Sequence, residues 1–235
     1  FQFSFMMKAF WIMLIISLPT ALLSCYVVLK GWSLLGDAIS HAVLPGVVIA
    51  YLLNIPIIIG AFFAGMVCTT LTGFLSENSR VKQDTIIGIV FSGMFGFGIV
   101  LHAKTTTEVH LDHILFGNML GISIDNIWTA GLISILVSSL LLAKQKDFLL
   151  QSFDPIQAKA MGLPVRLLHH SMLAFISLNI VAVLSAVGII LSIGLLIAPG
   201  AIAFLLTKRF ENMLFVAVGA TLVSAFGGIY ISFFI

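Results

Sequence analysis

Polar and apolar positions in this chain do not alternate as they would on a half-buried surface; they separate into long apolar runs divided by short polar links. The runs fall at 9–29, about 34–53, 57–75, 86–102, 127–143, 167–187, 188–207 and 213–235. Each is close to the ~20 residues that a helix rising 1.5 Å per residue needs to cross a bilayer core. Lys30 closes the first run, Asn54-Ile55-Pro56 makes a tight turn, and Ser76 to Asp84 is a polar link. Runs six and seven join near Val187-Gly188, and Lys208-Arg209-Phe210-Glu211 precedes the last. Residues 103–126 are a long amphipathic interruption, with a short helical turn over Leu115 to Leu120 expected to dip back. Residues 144–166 carry too much charge to lie in lipid. The pattern predicts an all-α polytopic membrane protein: a single transmembrane domain over 1–235, about eight spans, and one polar insert at 144–166.

Composition agrees. Charged residues make up 9% of the chain, against about 25% in soluble domains, and mean hydropathy is +1.20. A net charge of +2 with no basic patch interleaved with aromatics excludes nucleic acid as a ligand. Cys25 and Cys68 lie inside apolar runs without CxxC spacing, so they read as buried small hydrophobes and not as a disulfide framework. The chain begins without Met and stops in mid-run at Phe233-Phe234-Ile235, which reads as a piece of a longer protein.

The basic residues orient the spans. With the N-terminus outside, the inner links hold Lys30, Arg80, Lys82, Lys144, Lys146, Lys159, Arg166, Lys208 and Arg209, leaving only Lys8 and Lys104 on the outer side. Cytoplasmic links are enriched in Lys and Arg, so the 144–166 insert is expected in the cytoplasm and 103–126 outside.

The second run carries the chemistry. Asp37 and His41 stand four apart, one turn from each other on the same helix face. Either alone can be a packing device, but together in an apolar span they point to a bundle interior or wet cavity. Pro45 has no N–H for the His41 carbonyl, and Gly46 follows it, so a helix break is expected here. A carboxylate, an imidazole and a freed carbonyl suit a divalent cation such as manganese, iron or zinc. If the helix starts soon after Lys30, Asp37 lies on the order of 10 Å from the inner edge; a non-helical link would set it deeper.

In the insert, Asp154 is a natural N-cap, Pro155 suits the first helical position, and Gly162 followed by Pro164 ends the helix. So short a helix needs a surface to lie on. That surface is either its own bundle or a soluble partner that docks on it.

Other candidates are weaker. His110, Asp112 and His113 on the outer side could receive a metal, although a solvated loop with incidental histidines explains them as well. His169-His170 are adjacent and read as interfacial, and His102 ends a span. Pro199, with Gly200, reads as a kink that shapes a pore wall. The chain has no GxxxxGK[ST], HExxH or GxSxG motif, so no ATPase or protease site is expected and no prosthetic group is called for. Haem ligation would need a second histidine deep in a span beside His41. An ion-coupled secondary transporter or channel without an ATPase partner accounts for Asp37 but leaves the capped helix without a partner.

Gly36-Asp37-Ala38-Ile39-Ser40-His41-Ala42-Val43-Leu44-Pro45-Gly46 closely resembles the signature of the ABC-3 family, the membrane permeases of bacterial ABC importers for manganese, zinc and iron. Leu75 to Thr85, His113 to Gly121, Phe153 to Val165 and Leu195 to Ala201 resemble further segments of that family, so the similarity spans nearly the whole chain. It is most like the manganese/iron (Sit- and Yfe-type) permeases. The resemblance implies a type II, cobalamin-importer-like architecture in the bacterial inner membrane and a homo- or heterodimer of permeases bound to two ATPases. It also implies an extracytoplasmic metal-binding protein as donor. Asp37 and His41 would hold the metal in transit, and the segment containing Asp154, Pro155, Ala158, Gly162, Leu163 and Pro164 would be the coupling helix.

Overall fold

The computed structural model describes residues 4–32, 34–104 and 124–232, and among these every regular element is a helix. Within hydrocarbon each backbone N–H and C=O must be satisfied inside its own segment, which is why the apolar runs are helical. In chain order the helices are α1 (Ser4–Leu29), α2 (Leu35–Ala42), α3 (Leu44–Leu52), α4 (Ile57–Asn78), α5 (Gln83–Lys104), α6 (Ile124–Ala143), α7 (Gln145–Phe153), α8 (Pro155–Ala160), α9 (Val165–Leu206) and α10 (Phe210–Ser232). Among the described residues six stretches are long and apolar enough to cross a membrane: Met6–Leu29, Leu35–Leu52, Ile57–Ser76, Asp84–Lys104, Val165–Leu184 and Phe210–Ile231. The other two expected runs give shorter apolar helices, Ile127–Ala143 and Leu191–Leu206, the first bending by 72° into α7.

Burial ranks the helices. In the apolar stretches of α1 and of α2–α3, 72% of residues are buried, against 22% in those of α5 and α10, so the first two form the centre of the bundle. α1 packs on α6, α9 and α10, and a polar seam fixes its register against α9. Asn179 Nδ2 donates to Thr20 Oγ1 at 3.1 Å, and Thr20 Oγ1 itself donates to the Ile16 carbonyl at 2.6 Å. Ser24 Oγ accepts from the Gly200 N–H at 2.8 Å. Buried polar atoms in an apolar bundle are costly unless paired, so these contacts specify one register over its neighbours. A Cβ on Gly200 would come within 2.5 Å of the Ser24 carbonyl oxygen. Gly200→Ala is therefore expected to push α1 and α9 apart, at a cost of about 1–3 kcal/mol, read as a lower melting temperature of the detergent-solubilised protein.

α9 is two antiparallel limbs. At 1.5 Å per residue its 42 residues would reach ~63 Å as a straight rod, twice a bilayer core. Gly188 interrupts it with φ 79° and ψ 179°, a left-handed backbone that glycine adopts readily. The reversal is confirmed by ring contacts at one end of the bundle. Phe175 of the first limb meets Phe148 at 6.0 Å, Phe148 meets Tyr26 at 6.2 Å, and Tyr26 meets Phe210, just past the second limb, at 5.2 Å. Those few steps would be impossible if residues 165–206 ran straight. The junction expected near Val187-Gly188 is thus a hairpin at Gly188.

Lys30, Lys144, Arg166, Lys208 and Arg209, five of the nine residues counted as inner, adjoin the contacts Tyr26–Gln145, Tyr26–Phe210 and Trp32–His169 at that same end. There α1 ends in a Schellman turn: Gly31 has φ 68°, the Trp32 N–H bonds the Val27 carbonyl at 2.9 Å, and the Gly31 N–H bonds that of Val28 at 3.1 Å. Lys30 Nζ lies 4.5 Å from the centre of the Trp32 ring. Desolvation by burial pushes the Lys30 ammonium down to about 8 from 10.5. Between those values the unfolded chain binds the extra proton, so this group alone makes stability rise with pH across that window.

The insert holds two helices where the sequence suggested one. α8 matches the expected one: Asp154 Oδ1 accepts from the N–H groups of Ile156 at 3.0 Å and Gln157 at 2.9 Å, Pro155 opens the helix, and Gly162 follows it with φ 80°. α7 was not expected. Its mixed, mostly polar sequence hides the two residues, Phe148 and Gln151, that it buries against the bundle. Cys25 and Cys68 are buried and free, as the spacing indicated.

Candidate functional site

α2 and α3 divide the second run at Val43, which keeps helical dihedrals (φ −66°, ψ −26°), with its N–H bonded to the Ile39 carbonyl at 3.0 Å. The break expected at Pro45 and Gly46 is therefore a slight interruption two residues before Pro45, and both residues lie in the first turn of α3. Their role in the packing is visible. A Cβ on Gly46 would stand 2.1 Å from the Gly60 carbonyl oxygen, and one on Gly98 would stand 2.9 Å from the ring of Pro45. α3 is thereby held against α4 on one side and α5 on the other. Pro199 and Gly200 are likewise buried, Gly200 at the contact with α1.

On α2, Leu35, Gly36, Ala38, Ile39, Ser40 and Ala42 are buried, and Asp37 and His41 share the remaining face. His41 Nε2 lies 3.3 Å from Asp37 Oδ1, with the two side chains 28% and 37% exposed in this chain alone. His41 is walled by α5: its ring lies 5.8 Å from Phe91, tilted by 36°, and 5.2 Å from Phe95, edge-on at 72°. Its Nδ1 is buried, with no hydrogen-bond partner among the described residues. Ser40 turns its hydroxyl back to the Gly36 carbonyl at 2.8 Å and offers nothing to the site.

Depth follows from the neighbours. Trp32 packs edge-on to His169 near the start of α9, with ring centres 5.4 Å apart. A Cβ on Gly65 would touch both Ser177 and Ile39, so Ile39 lies level with Ser177. Eight residues of helix separate His169 from Ser177, placing Ile39 roughly 12 Å further into the bundle than Trp32. The Leu35 N–H bonds the Trp32 carbonyl at 3.0 Å, so α2 starts beside Trp32 and its own rise carries Ile39 most of the way to that depth.

Among the described residues no three His, Cys, Asp or Glu side chains come together as a complete metal site. Asp37 and His41 are brought together; His110, Asp112 and His113 lie outside the described residues, as does the turn at Leu115 to Leu120. What the pair offers is two donor atoms 3.3 Å apart. A cation ~2.1 Å from each would subtend an angle of about 100°, within reach of tetrahedral or cis-octahedral coordination. Phe91 and Phe95 did not stand out in the sequence, although their i, i+4 spacing puts them on one face.

The sequence pattern of the ABC 3 transport family matches residues 2–235. The chain belongs to the ABC 3 transport family. This permease is 53% identical over 239 residues to the chelated iron transport system membrane protein YfeD of Yersinia pestis, covering 100% of this chain and 79% of that one. It is 47% identical to the manganese transport system membrane protein MntB of Synechocystis, covering 99% and 76%. Among solved structures it superposes on PsaBC from Streptococcus pneumoniae, determined in complex with Fab, with a TM-score of 0.88 and 32% identity over 99% of this chain and 84% of that one. The chain is a multi-pass membrane permease of an ABC transporter, as its resemblance implied, and helices are its regular elements among the described residues.

Proposed function

We propose that this permease forms the path for a divalent transition metal, manganese or iron foremost and zinc third, in an ATP-driven importer of the bacterial inner membrane. The observation that carries this reading is the Asp37–His41 pair, set on one face of a central helix and left partly open in the single chain. Its relatives named for chelated iron and for manganese support that cargo. A carboxylate and an imidazole suit such borderline ions, and among the described residues no cysteine joins the pair in a group of three donors.

Two side chains fall short of the four to six ligands these ions take. A second permease, alike or different, would bring another Asp and His to the same axis. The resulting site would be of moderate affinity, because transport needs release as well as capture. With the 144–166 insert on the cytoplasmic side, α8 would seat in the ATPase, and the opposite mouth would receive metal from an extracytoplasmic binding protein. An ion-coupled carrier would leave α8 without a partner.

The test is uptake of radiolabelled manganese, iron and zinc by vesicles holding the permease with its ATPase, second permease and binding protein. Manganese or iron is expected to accumulate only with ATP. Accumulation of none of the three, or accumulation without ATP, would overturn the reading.

A further inference from the structure

Metal-bound histidines ordinarily donate their far ring N–H to a carboxylate, carbonyl or water, which orients the ring and makes the ligating nitrogen more basic. His41 lacks this. Nε2 faces Asp37, while Nδ1 is enclosed and finds no acceptor among the described residues. The ring is held instead by Phe91 and Phe95. These residues lie one turn apart on α5, which the close contact of Gly98 with Pro45 ties to α3.

The chemistry of such a holder is specific. A neutral imidazole that ligates through Nε2 keeps its proton on Nδ1. Against phenyl walls that N–H gives no electron density back through a hydrogen bond, and leaving it unpaired costs free energy. Nε2 is then correctly aimed but a weaker donor than a hydrogen-bonded one. Outer partners of metal ligands are worth about 10–100-fold in affinity.

We propose that Phe91 and Phe95 are positioning residues that aim His41 Nε2 at the path while denying Nδ1 an acceptor, so that the site holds its cation loosely enough to release it. This inference rests on the proposed role of Asp37 and His41 as metal ligands. It predicts that an acceptor placed in the wall strengthens the ligand and slows delivery, whereas an apolar replacement does not.

The experiment uses the complete transporter in vesicles with manganese as the probe, comparing Phe95→Gln, Phe95→Leu and His41→Ala. Phe95→Gln is expected to lower both KM and maximal uptake, each on the order of 10-fold, the lower end of the range for outer partners of metal ligands. Phe95→Leu, which gives Nδ1 no acceptor, is expected not to lower KM. A merely structural role would reduce maximal uptake in both variants without lowering KM. An unchanged or raised KM in Phe95→Gln, or equal shifts in the two variants, overturns the proposal. If Phe95→Gln fails to assemble, Phe91→Gln is read by the same criterion. Wild-type uptake by His41→Ala would sink the metal-site reading itself; its loss alongside wild-type constants for Phe95→Gln would sink only the role of the aromatic wall.

Discussion

Asp37→Ala or His41→Ala reduces metal uptake to background while the permease still assembles at wild-type levels. The two halves of this expectation have separate grounds. Each side chain is a charge-assisted or directional ligand, and losing one such contact costs about 1.5–3 kcal/mol. In a dimer of identical permeases one substitution removes two ligands, about 3–6 kcal/mol in total, or roughly 10²–10⁴ in affinity. In an unlike pair it removes one, about 1.5–3 kcal/mol or roughly 10–10² in affinity. Assembly should survive because neither group anchors the fold. Both side chains remain partly open, and the buried face of α2 is built from Leu35, Gly36, Ala38, Ile39, Ser40 and Ala42. Asp37→Asn and His41→Gln retain shape and polarity and separate ligation from packing. Vesicle uptake of labelled manganese, with size-exclusion profiles of each complex, makes the measurement. Wild-type uptake by both alanine variants would remove the pair from the path.

Much of this architecture was legible in the sequence because hydrocarbon leaves the backbone few choices. Runs such as 9–29 and 57–75 had to be helices, and the Asp37–His41 spacing then had to put both groups on one face. The cap at Asp154 and the stop at Gly162 were readable for a similar reason, since both depend only on local backbone chemistry. What escaped was set by contacts between distant segments. The walls of His41 come from residues 91 and 95, and an apolar Phe in an apolar span carries no mark of which neighbour it touches. α7 was missed because a short helix that buries only Phe148 and Gln151 leaves almost no periodic signal. Pro45 misled in a different way. Read alone, it marks a break, but in the fold it sits where a helix tolerates it, in the first turn of α3, and fits against Gly98.

The second large effect is expected at α8. This helix lies in the charged 144–166 insert, yet Ile156 is 83% exposed, and the flanking Met161 and Phe153 are 67% and 66% exposed. Ala158, on its other face, is fully buried against the protein, so α8 is seated on its own bundle and presents a separate apolar surface outward. Burying a side chain of this size contributes about 1.5–3 kcal/mol, and three of them together are enough to anchor a partner once the costs of association are met. Ile156→Asp combined with Met161→Asp is therefore expected to reduce capture of the ATPase subunit at least about 100-fold, equivalent to some 2.8 kcal/mol, and to abolish ATP-dependent uptake. Deleting Asp154–Gly162 should do the same. Asp154→Ala, which removes the cap from the Ile156 and Gln157 N–H groups, should weaken capture less, by about 1 kcal/mol. Lys159→Ala, at an exposed position, is the control. Because Ala158 and the rest of the bundle are untouched in the point variants, each permease should still fold and pair. Normal pull-down of the ATPase by the Ile156→Asp, Met161→Asp variant or by the deletion would refute the docking role of α8. The exposed apolar face would then need another partner.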